Sequence, residues 1–139
     1  RSARRRTHAD QARRARDVVM PARKTWCPDR RDMIWIDCNP QAGREMKDLH
    51  PLMVLSPRDF NERTGIVIGL PMTTAAYNDT NPFAVRLKGP RGASSYILGH
   101  QPKSFDWRVR KAKPHPLQKV PEESFALACE TLNQIIDIG

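Results

Sequence analysis

Asp32–Ser56 reads DMIWIDCNPQAGREMKDLHPLMVLS, two short apolar runs joined by a polar loop that ends in His50-Pro51. Met33, Ile34, Trp35 and Ile36 form the first run and Leu52–Leu55 the second, both rich in the residues that favour strands. The loop between them carries Arg44, Glu45, Lys47, Asp48 and His50, both charge signs on one segment. Such a loop can simply be a solvated charged segment, but chemistry mounted between strands is a common place for a site.

Outward from this pair, the same kind of element recurs. Pro21–Arg31 is a lead-in, Asp32–Asp37 a strand, Asn39-Pro40 and Gly43 punctuate the loop, and Pro51–Ser56 is a second strand. Ser56-Pro57 reads as an N-cap with proline at the first helical position, opening a turn of helix to about Asn61. Gly65–Pro71 is a short buried strand leading into Met72-Thr73-Thr74. Turn signals fill Ala75–Pro82, Phe83–Lys88 alternates as a strand, and Gly89–Gly92 is a tight turn. Ala93–Gly99 is the next strand, and Phe105–Lys111 is read as one more. Pro121 opens the one long helix, with Glu122 and Glu123 at its dipole-positive end and Phe125, Ala128, Leu132, Ile135 and Ile136 as its apolar stripe. Five or six short strands closed by such a helix predict a mainly β fold, a small, strongly bent sheet or SH3-like, partly open barrel.

The 139 residues suffice for one domain and a single core. No apolar run approaches the ~20 residues that span a bilayer, and the arginine-rich start lacks the apolar stretch of a secretory signal, so a cytoplasmic location is expected. Cys27, Cys38 and Cys129 are odd in number and widely spaced, and the four histidines form no ligand-like spacing. Neither a disulfide framework nor a metal site is favoured, and no cofactor motif of the GxGxxG, GxxxxGK[ST] or GxSxG type occurs. The net charge of +9 divides unevenly: residues 1–19 hold seven arginines against two aspartates, and residues 20–139 hold 17 basic against 13 acidic side chains. Residues 1–24 therefore read as a basic extension and 25–139 as the domain. The extension is a disordered tail, a nucleic-acid arm, or sequence upstream of a start at Met20, with Ala9–Val19 able to form a short helix. Tail or upstream sequence is favoured over arm. The domain is basic without it, which points to an anionic partner.

Four places hold candidate chemistry. They are the loop Gly43–His50; Met72-Thr73-Thr74; His100-Gln101-Pro102-Lys103-Ser104; and the aromatic–basic mixture of Phe105, Trp107, Arg108, Arg110, Lys111 and Lys113. Each lies where a strand runs out, an arrangement compatible with one rim of a barrel. Paired threonines more often just cap a turn, and a tryptophan among basic residues is more often packed beside a solvated face than stacked on a base.

These motifs, in this order, resemble the MazF/PemK family of toxins. The first strand and loop entry, Arg31-Asp32-Met33-Ile34-Trp35-Ile36-Asp37-Cys38-Asn39-Pro40, resembles GDIWxVDxxP. His50-Pro51-Leu52-Met53-Val54-Leu55-Ser56 resembles RPxVVLS, Pro71–Thr74 resembles PxTT, His100–Ser104 resembles DQxKS, and the helix opening Pro121-Glu122-Glu123 also matches. The resemblance covers Pro28 to Gly139. It implies a PemK-like barrel built as a homodimer, a metal-independent endoribonuclease acting on single-stranded RNA at short sequences, and a cognate antitoxin whose tail fills the RNA groove. It calls for no cofactor and no membrane. In such an enzyme the substrate's 2′-hydroxyl attacks the adjacent phosphorus, which needs a base, a proton for the leaving 5′-oxygen and stabilisation of the phosphorane.

By resemblance, His50, Thr73 and Glu45 are the catalytic positions; from the polar, basic and aromatic character of the four candidate places, Arg44, Lys47, Asn39, Gln101, Lys103, Trp107 and Arg108 are expected to contact RNA. His50 departs from the family, which places arginine there. Arginine is a permanent forked cation, whereas a histidine side chain ordinarily titrates near ~6.5 and can give or take a proton. Three outcomes follow: His50 acts as general acid or base with Arg44 or Lys47 as fixed charge, His50 binds phosphate weakly in a slow enzyme, or catalysis is absent while the RNA and antitoxin surface persists. From other classes, a non-catalytic binding module or a gyrase-directed toxin of the same fold are the competing readings.

Overall fold

The computed structural model describes residues 26–38, 49–89 and 92–137. The Ala9–Val19 helix, the loop from Asn39 through Asp48 and the Pro90-Arg91 tip of the expected tight turn lie outside them. The described residues form seven strands and two α-helices: β1 (Asp32–Asp37), β2 (Leu49–Val54), α1 (Arg58–Thr64), β3 (Ile66–Thr73), β4 (Ala84–Lys88), β5 (Ser94–Leu98), β6 (Lys103–Asp106), β7 (Lys113–Lys119) and α2 (Glu122–Ile136). A 3-10 turn, Ala76–Thr80, joins β3 to β4. All pairings are antiparallel, in the order β4-β5-β3-β2-β1-β7, with β6 also paired to β3. The strongly bent, mainly β sheet with a C-terminal helix is the expected fold class.

The bend is made at β3. Its first half, Ile66–Gly69, pairs with β6, and its last residues, Met72 and Thr73, pair with β5. On the opposite edge Gly69–Pro71 pairs with β2. Gly69 allows the crowding at this corner: a Cβ there would lie 2.5 Å from the Met53 carbonyl oxygen and 2.9 Å from the Leu52 side chain. Any larger residue would push β2 and β3 apart.

Because strand side chains alternate, the curved sheet buries both of its faces. Met33, Met53, Leu70, Met72, Val85, Leu87 and Ile97 form one core, closed by Ala128 and Leu132 of α2. Ile34, Ile36, Leu52, Val54 and Val67 form the other, closed by Cys27 and Trp107 with Trp26 and Phe105 beside them. A β1 with both faces buried explains why its apolar run is continuous rather than alternating.

Four expectations change. β2 begins at Leu49, so His50 stands inside a strand instead of ending a loop. Ser56 does not cap α1: Pro57 holds the cap position with no side-chain bond, and the helix runs on to Thr64, ending at Gly65 with φ +73°. The Ser56 hydroxyl instead bonds Asn61 Oδ1 (2.5 Å) and accepts from the Ile68 N–H (2.9 Å), while the Asn61 amide donates to Pro28 and Ser56 carbonyls. Phe105–Lys111 is not one strand: β6 stops at Asp106 and a turn follows. The last strand is β7, KPHPLQK, whose two prolines disguise it; it is an edge strand whose register against β1 shifts between the Asp32 and Ile34 pairings. Finally, Ile135 and Ile136 of the helix stripe are each 45% exposed. None of the described helices is long and apolar enough to cross a membrane.

Candidate active site

The Ile34–Leu52 face of the sheet runs out of core toward the end of β1. There Ile36 pairs with His50; the β2–β3 ladder itself ends at Leu52 with Pro71, and its register extended by two residues points His50 toward Thr73 on the same face. Thr73 in turn pairs with Tyr96, and Tyr96 with Arg86. Two paired rows, Ile36–His50 and Thr73–Tyr96–Arg86, therefore lie on one face of the sheet. Directly opposed residues on a face bring their Cβ atoms to about 4.5–5.5 Å. Ile36 is fully buried and His50 exposed, so the core closes directly beside the first row's open end.

Thr73 is half-buried, and its hydroxyl accepts the Ala75 N–H at 3.1 Å. A hydroxyl held that way keeps its own proton for an acceptor in the groove. Two cations lie by Cys38, at the end of β1. Lys103 pairs with Gly69 and so projects on the same face as Thr73. Arg110 donates to the Asp37 carbonyl (2.8 Å) with its guanidinium 4.9 Å from the Phe105 ring centre. Both act on Cys38, the residue just past β1. Burial pushes its thiol pKa up, and the charges of Arg110 and Lys103 oppose that rise.

Gln101 is exposed in the turn before β6, its amide 3.2 Å from His100 Nε2, and the His100 ring lies on Phe83 with centroids 5.4 Å apart. Asn39, Arg44, Glu45 and Lys47 lie outside the described residues. The chain leaves β1 at Cys38 and re-enters β2 at Leu49, which pairs with Asp37, so both ends of their segment flank the Ile36–His50 row. Among the described residues no group of three or more His, Cys, Asp or Glu could hold a metal ion.

Trp107 and Arg108 are elsewhere, which corrects the expectation of a single rim. Trp107 is 7% exposed and donates from its indole to the Asn61 carbonyl at 2.8 Å. Arg108 lies over that indole and donates to the Glu62 carbonyl at 2.7 Å. Both sit at the Ile66 end of β3, the length of the strand away from Thr73, and their contacts serve α1. The packed alternative holds for this tryptophan. Conversely, Arg110 lay inside the aromatic–basic run without being singled out, and Tyr96, Asp79 and Arg86 carried no signal beyond strand alternation and a turn.

The sequence profile of PemK-like, MazF-like toxins of type II toxin–antitoxin systems matches residues 29–136. This chain belongs to that family. Among curated relatives, endoribonuclease toxin MazF of Escherichia coli (strain K12) is 38% identical over 87 residues, 63% of this chain and 76% of the relative. Endoribonuclease PemK of Escherichia coli is 30% identical over 95 residues, 66% and 70% of the two chains. The crystal structure of MazF (Form-I) from Deinococcus radiodurans superposes with a TM-score of 0.69 at 32% identity, covering 82% of this chain and all (100%) of that one. A MazE-MazF structure (Form-II) from the same organism gives 0.69 at 27% identity, covering 83% and 100%. The family fold therefore extends over the whole β scaffold that carries His50 and Thr73.

Proposed function

We propose that this chain is a metal-independent endoribonuclease toxin that cuts single-stranded RNA at a short sequence. The observation that carries the reading is the shared face of β2 and β3 on which the register, extended from Leu52–Pro71, brings an exposed His50 toward Thr73, with Lys103 and Arg110 by Cys38 at the end of β1. In the reaction the substrate 2′-oxygen bonds to phosphorus as the P–O5′ bond breaks. The 2′-hydroxyl gives up its proton and the leaving 5′-oxygen gains one, leaving a 2′,3′-cyclic phosphate and a 5′-hydroxyl. His50 moves a proton in this scheme, Thr73 donates its hydroxyl hydrogen to the phosphorane, and Lys103 and Arg110 supply fixed positive charge. Glu45 shares the proton transfer by resemblance to the family, and Arg44, Lys47, Asn39 and Gln101 contact the RNA as the polar and basic groups of the same loop and strand end. The working unit is a cytoplasmic homodimer neutralised by an antitoxin, a reading supported by the MazE-MazF complexes among its structural relatives.

Purified protein incubated with a long single-stranded RNA in excess EDTA tests this. Discrete fragments with 5′-hydroxyl ends are expected, and Thr73→Ala is expected to lose cleavage by about 100-fold or more while melting like the wild type. Intact but retarded RNA would make the chain a binding module. Cleavage that needs an added divalent ion would overturn metal independence.

A further inference from the structure

The segment that follows Thr73 is held by nearly every polar side chain it has. The Asn78 amide, 3% exposed, donates to the Ala75 carbonyl at 3.1 Å and accepts from Asn81 at 3.0 Å. The Thr80 hydroxyl donates to the Tyr77 carbonyl at 3.2 Å. Asp79 accepts the Tyr96 phenol proton at 3.0 Å and lies 3.7 Å from the Arg86 guanidinium, which also donates to Ser94 at 3.1 Å. Tyr96 and Arg86 are the continuation of the row that begins at Thr73. These bonds therefore fasten the 3-10 turn over the same face as the proposed reaction, as the wall on the β5 side.

One side chain of that wall stands out from it. Tyr77 is 79% exposed, on a turn whose neighbours on both sides are tied down. Four residues of chain reach at most about 14 Å, so the ring stays within a short run of nucleotides of Thr73. A tyrosine costs little conformational entropy to order, having two side-chain torsions, and its face accepts any base while its hydroxyl can read an edge. A mobile tip would lose that advantage, but this turn is anchored by the Asp79–Tyr96 and Asp79–Arg86 contacts.

We infer that Tyr77 is a stacking platform for an unpaired base of the RNA, one that sets which sequence is presented to His50 and Thr73. Asp79, Tyr96 and Arg86 are its positioning residues. The inference rests on the ribonuclease reading, and two measurements keep them apart. The first is binding of a single-stranded oligonucleotide 2′-O-methylated at every ribose, which cannot attack its own phosphates. The second is fragment-end mapping on ordinary RNA.

Tyr77→Ala is expected to weaken binding about tenfold and to redistribute the cut sites, whereas Tyr77→Phe binds within about twofold of wild type and both variants melt unchanged. Asp79→Asn should shift the cut-site distribution the same way, which a ring with no role in presentation would not do. If Tyr77→Ala binds within about twofold and cuts at the same sites, the platform is overturned, and the exposed ring belongs to a protein contact instead. If wild type binds and Tyr77→Ala does not, yet neither cuts, the platform stands and the nuclease reading falls. If wild type neither binds nor cuts, both fall.

Discussion

At its first residues β3 runs beside Ser56, Asn61 and Trp107, whose side-chain polar atoms all bond to protein groups, with the Trp107 ring in the core. At its last residue the same strand delivers Thr73 to the face it shares with His50, under a turn that holds Tyr77 outward. Both ends carry threonine, asparagine, aromatic and basic residues, so composition does not tell them apart. The difference is where the hydrogen bonds go. A polar group that bonds inward stabilises the fold and is lost to chemistry, whereas one left facing the groove is available to a substrate.

Breaking each end should therefore fail in its own way. Trp107→Ala should have the largest effect, removing a buried indole and one of the two hydrogen bonds to the Asn61 carbonyl, with a loss of about 3–5 kcal/mol in urea unfolding. Any fall in cleavage should then track the unfolded fraction; a Trp107→Ala protein that melts like wild type but binds RNA poorly would move this end into the site. His50→Ala at the other end should leave the melting curve alone and slow cleavage by about 100-fold, near 2.7 kcal/mol in barrier. The wild-type rate should depend on pH, and His50→Arg should flatten that profile. A profile already flat in wild type, with His50→Ala active, would remove His50 from proton transfer.

The smallest expected effect concerns neither end but the edge strand β7. His115 stacks on Trp35 at 4.6 Å, and burial holds its pKa below the ordinary histidine value. The unfolded chain thus takes this proton more readily than the folded one. Its contribution is complete above the unfolded pKa of about 6.5 and declines as pH falls below it. His115→Phe should narrow the gap between urea midpoints at about pH 7.5 and about pH 5. An unchanged gap would place the acid sensitivity elsewhere.

Much of this was legible in the chain. Asp32–Asp37 forms a strand within the bounds its β-branched and aromatic run predicts, and Pro121 with two glutamates opens a helix because those signals act within one turn. The motif order around His50-Pro51 and Pro71–Thr74 also named the family before any contact was known. β7 was hidden because Pro114 and Pro116 argue against a strand unless it lies at an edge, and edge position depends on which strands pair. Ser56 before Pro57 looked like a cap because local sequence has no knowledge of Asn61 turning back to it.

The opening stretch shows the division most clearly. Strand propensity and the family motif, both properties of neighbours along the chain, made Met33–Ile36 and Leu52–Leu55 strands and marked His50 and Thr73 as candidates. Register decided the rest, because a shift of one residue turns every side chain to the other face, and register is set by partners far away in sequence. Only the paired sheet could turn His50 and Thr73 to one face, pair Thr73 with Tyr96 and Tyr96 with Arg86, and leave Trp107 at the far end of the strand.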